Sequence, residues 1–399
     1  MKYFLIAIVA LLVPAILVAN KASAQNRPDV VPDSYIIVLN ENSDLPDKVA
    51  SDMANKYGVS PQHIYSHALK GFSATVPEGR LNALKNDPRI KYISEDRLVT
   101  IAKGKPTPTP APQPDEVFPT GVRRMGINQN DNKGAGIGVA VIDTGIDLTH
   151  PDLTVKDNMS CVFRATTGND DNGHGTHVAG TIAARDNEIG VVGVAPEANL
   201  YAVKVLDKRG SGSWSSVICG IDWVTGKAGE IKVANMSLGG SGSSDNDCGQ
   251  TNNDALHQAI CKSMNVGITY VVAAGNENDN AANHVPAAYN DAVITISALV
   301  DTDGSPGGFG DPTGYGSDDT FASFSNYGDV VDLGAPGVNI YSTWKNGGYN
   351  TISGTSMATP HVAGAVALYL KSHPDSLWTQ TLFPPAHTFW LKLKNPVGS

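Results

Sequence analysis

The sequence predicts an α/β protein, a large parallel-sheet domain preceded by a small α+β domain. Three observations predict it. Beyond about residue 116, continuous apolar runs such as Ile137–Ile142 and Ile231–Met236 alternate with helix-like stretches such as His174–Ala184. Parallel strands covered on both faces read as unbroken apolar runs, and helices are what connect them. Residues 33–100 form a separate unit with the order βαββαβ, and Lys103 to Pro114 between the two units carries five prolines.

In chain order, residues 1–24 read as a secretory signal. Lys2 is its positive end, Phe4 to Val18 its apolar run, and Ala22-Ser23-Ala24 its small-residue cleavage site. The apolar run is short for a membrane span and is closed by Asn20 and Lys21. An exported protein with no membrane association after signal removal is therefore expected. The small unit reads as strand Ser34–Leu39, helix Asp44–Tyr57, hairpin Ile64–Val76, short helix Glu78–Asn86 and strand Ile90–Ile101. That order is ferredoxin-like. Residues 101–116 then form a stiff, extended, solvated linker, open to proteolysis.

In the large domain the expected strands are Ile137–Ile142, Leu200–Val205, Ile231–Met236 and Val266–Ala273. The expected helices are His174–Ala184, Trp214–Trp223 and Asp254–Ser263. Open parallel sheets collect function at the carboxyl ends of their strands. Asp143, Ser237 and Asn276 all follow strands there.

Composition narrows the function. With 41% hydrophobic and 17% charged residues, a mainly disordered chain is excluded. A formal charge of -10 argues against a nucleic-acid partner. Four cysteines, Cys161, Cys219, Cys248 and Cys261, favour two disulfides over a metal site in an exported chain, with three pairings open.

The run Gly354-Thr355-Ser356-Met357-Ala358-Thr359-Pro360-His361 sets a serine between a turn and an alanine-rich helix. A helix N-terminus favours developing negative charge, which suits a nucleophile whose reaction builds an oxyanion. Asp143 closes an apolar strand and can orient a histidine, although Asp-x-Gly is more often a turn. His174 lies in His-Gly-Thr-His-Val-Ala-Gly, where Gly173 and Gly175 are expected to leave room for substrate at a general base. The alternatives are a structural histidine or a zinc pair with His177, but no His-Glu-x-x-His pattern is present. Asn276 can donate to an oxyanion, or simply fill a turn.

Taken together, Val-Ile-Asp143-Thr-Gly, His174-Gly-Thr-His, Ala-Ala-Gly-Asn276 and Gly-Thr-Ser356-Met-Ala-Thr-Pro resemble the motifs of subtilase (subtilisin-family) serine endopeptidases. The order Asp, His, Ser matches that family. The likeness runs from about Phe118 to Pro374, with a second likeness of residues 33–100 to the family's inhibitory propeptide. It implies a three-layer subtilisin-like domain over 117–399, with Ser356 as nucleophile, His174 as acid–base, Asp143 as its partner and Asn276 as oxyanion donor. It also implies that Ser237, Leu238 and Gly239 pair with extended peptide, while Ala273, Ala274 and Gly275 line a primary pocket. A structural calcium is implied at Asp152 and Asn187 with carbonyls of Arg185, Ile189 and Val191, with Glu116 nearby and Asp332 as a weaker second site.

The same resemblance implies a secreted monomer that acts on proteins and peptides, inhibited by its own propeptide and maturing by a cut within 101–116. Insertions flank Asn276; that at Asp301–Asp319, rich in Gly and Asp, reads as a flexible loop or another calcium loop, and the plain loop is expected. After about residue 375 the sequence departs from the family pattern. An α/β-hydrolase esterase would need Gly-x-Ser-x-Gly and the triad order Ser, Asp, His; the sequence has neither. A non-catalytic relative would normally lack a catalytic side chain, and none is lost.

Overall fold

The computed structural model describes residues 29–101, 106–111, 115–126 and 131–374. The expected signal segment and the atypical end after residue 375 lie outside them. The N-terminal unit runs β1 (Val30–Leu39), α1 (Pro46–Tyr57), β2 (Ser60–Tyr65), β3 (Gly71–Thr75), α2 (Leu81–Lys85) and β4 (Ile90–Ile101). Its strands are antiparallel in the order β4-β1-β3-β2. Helix α1 starts at Pro46, where proline's missing N–H costs nothing, and stops at Gly58 in left-handed conformation. Val49, Ala50 and Met53 of α1 pack on Ile37, Leu39 and Phe72 of the sheet.

The linker departs from expectation. Pro106–Ala111 is a strand, β5, and it pairs antiparallel with a hairpin of the large domain. The X-Pro alternation explains this. Prolines recur with the period of a strand, so the residues that retain N–H share one edge. One edge can join a sheet and the other offers no donors.

The large domain continues with α3 (Thr120–Arg124), β6 (Gly138–Asp143), β7 (Val155–Ser160), α4 (His174–Ala183), β8 (Asn199–Lys204), β9 (Ser211–Ser213) and α5 (Trp214–Gly226). It goes on through β10 (Ile231–Met236), β11 (Leu238–Ser241), α6 (Ala255–Met264), β12 (Thr269–Ala273), β13 (His284–Val285) and β14 (Ile294–Leu299). It ends with β15 (Leu333–Pro336), β16 (Ile340–Trp344), β17 (Gly348–Ile352) and α7 (Thr355–Ser372). Seven strands form a parallel sheet in the order β15-β14-β12-β10-β6-β8-β7. One core joins α4 and α7 to a face of this sheet, and a second joins α5 and α6 to the other. Residues 301–319 contain no helix or strand, and carboxylate oxygens of Asp301, Asp303 and Asp318 lie there within 4.8 Å of one another. No described helix is long and apolar enough to cross a membrane.

The two domains are in close contact. Asp96 accepts the Ser215 N–H at 2.9 Å and its hydroxyl at 2.6 Å, capping the first turn of α5. Asp222 accepts backbone N–H groups of Ser66, His67 and Ala68. The last residues of β4 lie between β9 and β11 and pair with both.

The pairing that sequence left open is Cys161–Cys219 and Cys248–Cys261, separated by 58 and 13 residues. In the chain-entropy account the longer loop contributes about 4 kcal/mol and the shorter about 3 kcal/mol. Replacing Cys161 and Cys219 by serine should therefore lower the denaturation midpoint more than replacing Cys248 and Cys261. Equilibrium or rate measurements in guanidinium would compare the two variants.

Candidate active site

Asp143 ends β6 and is fully buried. His174 opens α4, whose first turn is fixed by Asp170. The Asp170 carboxylate accepts the N–H groups of Asn172, Gly173 and Thr176 and the hydroxyls of Thr144 and Thr176. His174 Nδ1 lies 2.8 Å from Asp143 Oδ1, which also accepts the Thr144 N–H. A carboxylate on Nδ1 keeps the proton there, so Nε2 presents its lone pair. His174 Nε2 is buried and has no hydrogen-bond partner among the described residues.

The glycines beside His174 serve another purpose than the one expected. A Cβ on Gly173 would stand 2.4 Å from the Trp344 ring, and one on Gly175 would stand 2.1 Å from the Gly145 carbonyl oxygen. They let α4 approach β6 and β16; the room is taken by protein. His177 is no metal ligand either. Its Nε2 faces the carbonyls of Ile340 and Asn350 at 3.0 and 3.2 Å, and burial pushes its pKa down to about 3.

Ser356 stands in the first turn of α7. Pro360 four residues on has no N–H, so the Ser356 carbonyl loses its helical donor. The Ser237 hydroxyl replaces it at 2.9 Å, and the Ser356 hydroxyl donates to the Ser237 carbonyl at 3.1 Å. Ser237 thus braces the serine from both sides, a role its place after a strand did not reveal. Asn235 Nδ2 completes the brace by donating to the Ser237 hydroxyl.

Asn276 is oriented by Thr355. Its Oδ1 accepts the Thr355 N–H at 2.8 Å and hydroxyl at 3.1 Å. That leaves Nδ2 buried and without a partner among the described residues. A buried amide held by its oxygen is a donor prepared for a charge not yet formed. Gly275 before it has φ 109°, and a Cβ would stand 2.2 Å from Asn326 Nδ2. Asn326 in turn donates to the Ala274 carbonyl and accepts the Glu277 and Asp279 N–H groups.

Leu238 and Gly239 pair with Ile101 and Thr100 of β4. Across β4, Thr100, Val99 and Leu98 pair with Ser211, Gly212 and Ser213, and Ile101 N–H donates to the Gly210 carbonyl at 2.9 Å. An extended segment of this same chain therefore lies between two strand edges beside Ser356. Ala273, Ala274 and Gly275 line a cavity of about 220 Å³ next to Thr100 and Ile101.

Away from this cleft, Asp152, Asn187, Ile189 and Val191 gather at one loop. Asp152 Oδ2 accepts the Val191 N–H at 3.1 Å, and the Asp152 carbonyl accepts the Arg185 N–H at 3.0 Å. Glu116 Oε1 accepts the N–H groups of Asn187 and Glu188. The Asn187 side-chain oxygen faces Asp152 Oδ1 and the Ile189 carbonyl, each at 3.2 Å. Turning the amide over makes two hydrogen bonds, from Asn187 Nδ2 to Asp152 Oδ1 and to the Ile189 carbonyl. Burial, with Glu116 nearby, pushes the Asp152 carboxyl up to about 6. Asp332 instead takes the Thr295 N–H at the edge of the sheet.

Residues 134–385 match the Subtilase family, and residues 34–102 match the family Peptidase inhibitor I9. The chain belongs to the subtilase family. It is 38% identical over 379 residues to an extracellular serine proteinase of Thermus sp., covering 88% of this chain and 84% of the relative. It is also 38% identical over 380 residues to a thermostable alkaline protease of Halalkalibacterium halodurans, covering 94% and 89%. Among solved structures, a cold-adapted subtilisin-like serine proteinase shares 40% identity with a TM-score of 0.52, covering 63% of this subtilase and 81% of that chain. This protein is thus a serine peptidase of the subtilase family with an N-terminal inhibitor domain.

Sequence reasoning missed Asp170, Thr355 and Asn326, which position the others. Only Asp170 had a signal, an acidic residue in a polar run just before a helix. Replacing Ser237 with alanine should orphan the Ser356 carbonyl and Asn235 Nδ2. The expected cost is about 2–3 kcal/mol of stability, read as a lowered melting temperature.

Proposed function

We propose that this subtilase is a secreted serine endopeptidase, synthesised as a zymogen that cuts itself. Residues 1–24 direct export, 33–100 inhibit, 101–116 contain the cut and 117–399 form the peptidase. The observation that carries this reading is the strand Leu98–Ile101, held between β9 and β11 beside Ser356 as a peptide substrate would be. Strand addition reads backbone, so it accepts many sequences.

In the proposed reaction His174 Nε2 removes the Ser356 hydroxyl proton as Oγ attacks the scissile carbonyl carbon. Asp143 stabilises the imidazolium through Nδ1. The oxyanion accepts hydrogen bonds from Asn276 Nδ2 and the Ser356 backbone N–H. Collapse transfers the proton from Nε2 to the leaving amine and leaves an ester on Ser356. Water, deprotonated by His174, then hydrolyses that ester.

We propose a self-cleavage site by extending the register beyond Ile101. Leu238 is opposite Ile101, the last residue of β4, and Ser237 is the next residue along the receiving strand. Ser237's carbonyl is in contact with the Ser356 hydroxyl. The cut therefore falls at Ala102–Lys103, within the expected 101–116 stretch.

Calcium is proposed at Asp152, Asn187 and the carbonyls of Arg185, Ile189 and Val191, with Glu116 adjoining. A carboxylate, a side-chain amide and backbone carbonyls on one loop offer oxygen ligands that suit a hard divalent ion that stabilises the fold. The mature protein is proposed to act outside the cell as a monomer on protein and peptide substrates.

Expressed whole, the chain should mature to a form beginning at Lys103, and Ser356→Ala should stay uncut and inactive. Mass spectrometry and peptide hydrolysis measure both; equal maturation of the variant would falsify the mechanism. Asn276→Leu should lower kcat about 10²–10³-fold with KM little changed. Chelation should lower the melting temperature of the mature enzyme. A saturating ion contributes about 2.7 kcal/mol at a hundredfold excess over its dissociation constant. Asp152→Asn should lose that calcium-dependent gain.

A further inference from the structure

Strand pairing is not confined to the residues before the proposed cut. The chain is held at two places, at Ile101 by β11 and at Pro106–Ala111 by β17. Only residues 102–105 separate them in sequence. The two receiving edges likewise converge on Ser356: Ser237 braces it, and β17 ends at Ile352, four residues before it. The pairing runs Pro106 opposite Ile352, Thr107 opposite Thr351 and Ala111 opposite Tyr349, with an irregularity between the last two. The chain therefore follows β17 away from Ser356 as its own sequence runs on past the cut.

We infer that the outer edge of β17, from Ile352 back to Gly348, is a substrate-binding strand for peptide on the C-terminal side of the scissile bond. It takes an extended peptide, beginning about four residues after the cut, and reads its backbone. The linker is its first occupant. This inference rests on the proposed function, because it takes the linker as the enzyme's own substrate.

The proline spacing gives the site its selectivity. Proline cannot donate to a ladder, so only Thr107, Thr109 and Ala111 can give hydrogen bonds to β17. Thr107 and Ala111 are the residues opposite Thr351 and Tyr349. The intervening prolines leave the far edge of β5 without donors, so no further strand adds there. Prolines also hold the segment extended before it binds, which reduces the ordering cost of pairing. A peptide with prolines at alternate positions is favoured in this register and disfavoured in the register shifted by one residue.

The occupant remains tethered after the cut. Asp115 and Val117 bridge to Ile189 and Val191, so the released arm is anchored at its C-terminal end. The arm then competes with substrate for the β17 edge, and a test must remove that competition without deleting the arm.

The experiment exchanges the residues of the linker pairwise: Pro106→Thr, Thr107→Pro, Pro108→Thr, Thr109→Pro, Pro110→Ala and Ala111→Pro. Composition and stiffness are kept and only the donor register moves. Self-cleavage at Ala102–Lys103 should slow at least about tenfold, the worth of one or two backbone hydrogen bonds. An unchanged cleavage rate overturns the inference. The matured variant, whose arm no longer pairs, is then assayed with peptides sharing one sequence before the cut. Their downstream halves present Pro-Thr-Pro-Thr-Pro-Ala or Thr-Pro-Thr-Pro-Ala-Pro from the fourth residue onward. The first should show a kcat/KM at least about tenfold higher, by the same hydrogen-bond arithmetic. Equal values sink the β17 site. A third peptide, ending two residues after the cut, should be hydrolysed by variant and wild type alike. Its failure with both would overturn the peptidase reading, while its hydrolysis alongside equal long peptides overturns only the β17 site.

Discussion

The interlock of Ser237 with Ser356 is the contact on which the site depends. A serine at the start of a helix needs its hydroxyl outward and its backbone fixed. Pro360 prevents the ordinary helical bond to the Ser356 carbonyl, and the Ser237 hydroxyl supplies the missing donor. The Ser237 carbonyl in turn accepts a hydrogen bond from the Ser356 hydroxyl. Since Ser237 links β10 to β11, the central sheet, the peptide-binding edge and the serine are fixed by one residue. An error in any of the three would be felt by the other two.

The buried polar groups around that interlock divide into satisfied and unsatisfied sets. Asp170, Thr144, Thr355 and Asn326 spend their hydrogen bonds on backbone or on neighbouring side chains. Among the described residues, the atoms left without partners here include Asp143 Oδ2 and Asn235 Oδ1 as well as His174 Nε2 and Asn276 Nδ2. Buried polar atoms without partners are costly, so they persist where the remaining network over-determines them. In the proposed reaction, His174 Nε2 and Asn276 Nδ2 are the two that take part directly. The loop around Asp152 shows the opposite sign, with carboxylate, amide and carbonyl oxygens converging.

The sequence made side-chain chemistry legible where it sits in long motifs. Asp143, His174, Asn276 and Ser356 follow strands or open helices, so period and turn residues located them. The small domain was equally plain, because its βαββαβ order is local. Contacts made across the fold were not legible. The disulfide pairing depends on which helices share a face. The glycines flanking His174 looked like room for substrate, and only packing reveals Trp344 and Gly145 in that room. The linker read as solvated because five prolines signal extension, yet extension is also what a strand requires. Its partner edge on β17 lies more than two hundred residues away in sequence, beyond the reach of any local pattern.

The contacts of the inhibitor domain would serve the proposed inhibition and the assembly of the fold alike. The large sheet pairs strands distant in sequence, such as β14 with β15, so its contacts form late and slowly. The N-terminal domain is mostly local and can form first. Asp96 then offers a cap for α5, and Asp222 on that helix fastens to the turn at Ser66–Ala68. Helix α5 connects β9 to β10, which leads into β11, and β4 joins β9 and β11 directly. A domain that grips α5 and bridges its two flanking strands brings the cleft together before the cleft can act. The bridge is β4 itself, which fills the position a substrate would occupy. On the proposed function, assembly and inhibition would draw on one set of hydrogen bonds, which the proposed cut in the bridging chain would separate.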